Sequence, residues 1–69
     1  MILVVTSTGN FLTVDEGVAM RQSDDVLVCV DGRGKRLVAF RYQDVRAFAR
    51  QTDDDQAVWE FPAQLRNAA

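Results

Sequence analysis

Histidine is absent from this 69-residue chain, and Cys29 is its only cysteine. A serine or thiol nucleophile needs an imidazole or an equivalent base beside it, so neither a Ser-His nor a Cys-His pair can be assembled. Cys29 lies inside the apolar run Val26-Leu27-Val28-Cys29-Val30, where a thiol is a small buried hydrophobe with a raised pKa. A single thiolate without imidazole excludes a structural zinc site within one chain. An internal disulfide would need a second cysteine. Asp31-Gly32-Arg33-Gly34-Lys35 has glycines and cations but lacks phosphate-loop spacing and leads into a strand, so it reads as a hairpin turn. Asp53-Asp54-Asp55 lacks the alternating ligands, glycine and terminal glutamate of a calcium loop, and reads as a solvated turn. Asp15-Glu16 and Asp24-Asp25 also fall in turns. The expectation is a protein without catalytic residues, cofactor or metal.

Charge is the feature left to work with. The net charge is only −2, but it is unevenly spread. Residues 1–32 hold Arg21 against Asp15, Glu16, Asp24, Asp25 and Asp31, whereas residues 33–50 hold Arg33, Lys35, Arg36, Arg41, Arg46 and Arg50 against Asp44 alone. Residues 51–69 turn acidic again, with Arg66 against Asp53, Asp54, Asp55 and Glu60. The basic segment could contact phosphates, with Tyr42 or Phe48 stacking a base if exposed. The bland alternative is a solvated face with Phe48 in the core. A pI near 4.8 weighs against a dedicated nucleic-acid binder. The asymmetry also suits a protein partner, with Trp59 and Phe61 as aromatic anchors unless they fill the domain's own core.

These side chains must be positioned by a small β-rich domain. Ile2–Thr6 is a β-branched run ended by the turn Ser7-Thr8-Gly9-Asn10, and Phe11–Val14 completes a first hairpin. Asp15-Glu16-Gly17 breaks it, Val18–Met20 continues after a bend, and Ser23-Asp24-Asp25 is the next turn. Val26–Val30 is apolar throughout, as expected of a central strand covered on both faces. Arg36–Arg41 returns beside it. Gln43–Gln51 is read as a helix in preference to a strand, because Val45, Phe48 and Ala49 fall at i, i+3 and i+4. Ala57, Trp59 and Phe61 alternate in a half-buried last strand that Pro62 ends.

The fold expected is α+β or mostly β: an antiparallel meander or SH3-like sheet of four to five strands with one short helix. Residues 1–62 form its single domain and residues 63–69 a frayed tail. A domain this short has a thin core, and without disulfide or metal a homodimer is the expected support. The first apolar run, Met1-Ile2-Leu3-Val4-Val5, is too short for a secretory signal or a membrane span. With a lone cysteine, the expected location is the cytoplasm.

Met1–Thr6 with Gly9, and Val38-Ala39-Phe40-Arg41-Tyr42-Gln43-Asp44-Val45, resemble the first strand and the last strand-to-helix passage of the carbon storage regulator family. That resemblance implies a dimeric RNA-binding regulator. Ser7 and Thr8 stand where the family has paired arginines. Asp24–Gly32 is similar to the central strand and glycine turn of short flagellar proteins, and the Sm-like RNA-binding barrels share the general rhythm. The shared feature is the architecture, and no one family is singled out. The function expected is a non-enzymatic protein-binding regulator or inhibitor that occupies a partner surface, with RNA binding as the alternative.

Overall fold

The computed structural model describes residues 1–51 and 56–63. The expected turn at Asp53-Asp54-Asp55 and residues 64–69 of the expected 63–69 tail lie outside these. Among the described residues the chain forms seven strands: β1 Ile2–Thr6, β2 Phe11–Val14, β3 Ala19–Ser23, β4 Val26–Val30, β5 Arg36–Arg41, β6 Val45–Gln51 and β7 Ala57–Glu60. They make two antiparallel sheets, one ordered β2-β1-β6-β7 and the other β3-β4-β5. The mostly β, meander-compatible architecture read from the sequence is observed, but with seven strands in two sheets rather than four or five in one. Val18–Met20 was expected to prolong the first hairpin, but β3 is a strand of the other sheet.

Local chemistry accounts for the turns. Gly9 adopts φ +92°, which side chains rarely tolerate, and donates its N–H to the Thr6 carbonyl at 2.9 Å. Thr6 Oγ1 accepts from the Asn10 N–H at 3.0 Å, closing the β1–β2 hairpin from both sides. The β4–β5 hairpin is organised by Asp31, whose Oδ1 accepts from the backbone N–H of Arg33 (2.8 Å) and of Lys35 (2.9 Å).

Two joints carry the chain between the sheets. The first is Gly17, between β2 and β3. A Cβ there would lie 2.5 Å from Cys29 Sγ and 3.0 Å from Ile2 Cγ1, so only glycine fits. The second is a 3-10 turn, Tyr42–Asp44. Tyr42 N–H donates to Asp25 O at 2.7 Å, and Ser7 N–H donates to Asp44 O at 2.8 Å. That short turn is therefore tied to both sheets.

The helix expected over Gln43–Gln51 is not formed: apart from the 3-10 turn, this segment is β6. The pairing explains the misreading. Val5 opposes Ala47 while Thr6 opposes Val45, so Arg46 is an extra residue in a bulge. A bulge lets the side chains on either side of it break strict alternation. Val45 thereby joins Phe48 in the core, a spacing of three that imitates a helical face. The core itself lies between the sheets: Ile2, Val4, Val45 and Phe48 from one meet Met20, Leu27 and Cys29 from the other. Val26–Val30 is, as expected, a central strand, with Leu27 to Val30 all buried. The last strand differs from expectation, since β7 is an edge strand with Ala57, Val58 and Trp59 exposed.

Candidate functional site

Opposed residues in an antiparallel pair project to the same side, and the sides alternate along each strand. Applied to the four-stranded sheet, this puts Ile2, Val4, Val14 and Phe48 on the core side. On the outer side one row runs Phe11, Val5, Ala47, and the next runs Thr13, Leu3, Ala49, Trp59. Gln51 and Ala57 begin a third row, joined to Met1 by the Gln51 N–H to Met1 O bond of 3.1 Å. None of these strand residues is charged.

The relief of this outer face follows from residue size. Ala47 and Ala49 on the second inner strand are buried, while Phe11 at one rim is 67% exposed and Trp59 at the other 47%. Small residues in the middle and aromatics at both rims make a trough. Met1, Leu3, Ala49, Gln51 and Ala57 line a hollow of about 190 Å³ in it. Phe61, just beyond β7, is 53% exposed. Thus the two aromatics singled out in the sequence stand at the surface. Phe11 escaped notice because nothing in its hairpin tells which face is covered.

The basic segment does not stay together. Arg33 and Lys35 occupy the β4–β5 hairpin, and Arg36 and Arg41 stand at the two ends of β5. Arg46 reaches Ser7 O through Nη2 at 3.2 Å. Arg50 pairs with Glu60 Oε1 at 3.2 Å. The aromatics within the segment are also engaged: Phe48 is fully buried, and Tyr42 packs half-buried against the core.

Arg21 is the basic residue the sequence reading passed over, because it lies in an acidic stretch. The three-stranded sheet brings it beside the others. On the outer side of this sheet the rows run Ala19, Val30, Arg36; then Arg21, Val28, Ala39; then Ser23, Val26, Arg41. A groove of about 320 Å³ lies here, with Arg21 and Arg36 among its lining residues and Val28 and Val30 as apolar neighbours.

Two ionisable groups have displaced titrations. Burial pushes the Cys29 thiol up, against a smaller opposing pull from the N-terminal ammonium. The backbone N–H groups of Lys35 and Arg33 hold the Asp31 carboxyl below its ordinary value of 3.8, since they bond the charged form. A lowered folded-state pKa stabilises the native hairpin above the unfolded value, and the contribution is lost as pH falls through the folded value. The Arg33 and Lys35 amide resonances should therefore titrate together with a midpoint below 3.8, and Asp31→Asn should abolish that step. A midpoint at or above the ordinary value would contradict the bonding.

Among the described residues, no group of three or more acidic, cysteine or histidine side chains could hold a metal. No helix among them is long and apolar enough to cross a membrane. No family model, curated protein or solved structure matches the chain.

Proposed function

We propose that this chain is a small non-enzymatic protein-binding module of regulatory or inhibitory type, working in the cytoplasm as a homodimer. The carrying observation is the outer face of the four-stranded sheet: Phe11, Leu3, Val5, Ala49 and Trp59 share one uncharged side. Large exposed aromatics such as Phe11 and Trp59 on one apolar side of this kind mark an interaction site. A second copy is the proposed occupant: the same apolar patch would be buried on both copies, as in an isologous interface. Pairing would also add apolar burial to a core that is thin for its chain length. The absence of histidine and the burial of the single thiol support a role through surface rather than chemistry.

Light scattering or sedimentation equilibrium tests this. The wild type should have twice the 7.7 kDa chain mass. Trp59→Ala, at an exposed position, should keep the β spectrum but weaken the dimer roughly 30-fold, the loss typical of a tryptophan hot spot. A wild type that remains monomeric at high micromolar concentration, or a dimer indifferent to Trp59→Ala and Phe11→Ala, would refute the assignment.

RNA binding is the second reading, and Arg21, Arg36 and Arg41 on one face favour it. It lacks support from stacking, because no aromatic side chain lies in the strand rows of that face and Tyr42 and Phe48 are packed inward.

A further inference from the structure

We propose that the groove on the outer side of the three-stranded sheet binds an extended acidic peptide of a protein partner, one carrying an apolar side chain between two carboxylates. This names the chemistry of the regulated partner. It rests on the protein-binding reading but not on the self-association face, which belongs to the other sheet.

Register sets the geometry. Arg21 on β3 opposes Val28, and Arg36 on β5 opposes Val30. The two arginines thus stand on opposite edges of the sheet, one side-chain step apart along it. Two strand spacings and one such step put their Cα atoms roughly 12 Å apart. An extended peptide advances about 7 Å for every two residues. Side chains four apart therefore span the arginines, and the one between them falls over the valines.

The valines make that central position apolar. Val28 and Val30 are 5% and 4% exposed although they lie on the outward side of their sheet. Their cross-strand neighbours in these rows are Arg21, Arg36, Ala19 and Ala39, with Leu37 the extra residue of the bulge opposite Val30. Arg21 and Arg36 line the groove together with the valines, and long basic side chains can lie along apolar surface while keeping their heads in water. In the proposed complex the apolar ligand group sits over the valines, between the two guanidiniums.

Charge supplies the rest. No carboxylate occurs in the three rows of this face, and among the described residues the ion pair formed is Arg50 with Glu60, on the other sheet. The guanidiniums of Arg21 and Arg36 are thus without acidic partners, in the fork geometry that suits carboxylates. A single-stranded nucleic acid would bring charge too, but it would find valines where stacking partners are required.

The probe is a short capped peptide with a leucine midway between two glutamates, each two residues away, titrated into the full chain by fluorescence anisotropy. A version with both glutamates replaced by glutamine and an oligouridylate of matching length are titrated in parallel. The acidic peptide should bind, and Arg21→Gln or Arg36→Gln should each weaken it roughly tenfold or more, the loss of a charge-assisted bond. Arg46→Gln, away from this groove, should leave it unchanged. Equal binding of the glutamine peptide, or indifference to both groove substitutions, would overturn the proposal. So would tighter binding of the oligouridylate that the same two substitutions abolish, which would assign the face to RNA. The Trp59→Ala variant separates the two claims. Peptide binding by a monomer upholds the groove without the dimer, and a dimer that ignores the peptide defeats the groove alone.

Discussion

Phe48→Ala should lower the unfolding free energy by about 3–5 kcal/mol, the cost of truncating a buried phenylalanine and leaving its cavity. Phe48 is the largest fully buried side chain among the described residues, and it contacts the core from the centre of the four-stranded sheet, opposite Val4 and Glu60. Folded domains have only about 5–15 kcal/mol in total, and a chain this small sits near the lower end. Urea titration followed by far-ultraviolet circular dichroism should find the variant retaining about 2 kcal/mol of stability or less, with a measurable unfolded fraction before denaturant is added. An unfolding free energy within about 1 kcal/mol of wild type would mean that Phe48 is not at the centre of the core, because buried truncations of this kind do not cost so little.

Gly17→Ala should also destabilise, for the opposite reason. Here one methyl group is added where the chain crosses between sheets, against Cys29 Sγ at 2.5 Å, Ile2 Cγ1 at 3.0 Å and the Val14 carbonyl at 3.2 Å. Overpacking of this kind costs about 1–3 kcal/mol. Its φ is not positive, so the obstacle is space rather than backbone conformation. That distinction can be measured. Removing the nearest obstacle, in Gly17→Ala with Cys29→Ala, should recover part of the loss, with a coupling of about 1 kcal/mol or more between the two sites. Strict additivity of the two single substitutions would place the strain elsewhere.

Those two positions also mark how far the sequence could be read. Gly17 was legible as a break, but that it abuts Cys29 is a tertiary fact with no local signal. Val26–Val30 could be read because an unbroken apolar run has no other economical home than a covered strand. Gly9 and Asp31-Gly32-Arg33-Gly34-Lys35 could be read because turn chemistry is local. The segment after Tyr42 was misread for a physical reason. Its bulge at Arg46 puts Val45 and Phe48, three apart, into one core, and a spacing of three is the periodicity by which helices are recognised. Strong helix formers around it reinforced the error, and pairing with β1 on one side and β7 on the other overrode them.

For the candidate surfaces, residue types were visible but their company was not. The six cations of 33–50 looked like one feature and are dispersed by the fold, two of them held by Ser7 and Glu60. Arg21 gains its place only through the register of β3 on β4, which no count of charges along the chain can supply. Trp59 and Phe61 were legible only as large aromatics. Their exposure follows from β7 being an edge, and edges are decided by the whole topology.

Cys29 gives the molecule an internal clock. Its sulfur is sealed beneath Gly17 at the junction of the sheets, and it is the chain's one thiol. A colourless alkylating reagent can therefore register only those moments when the two layers part. The pace of that labelling, compared with the pace in denaturant, measures how often the domain opens, without a dye, a tag or an engineered residue.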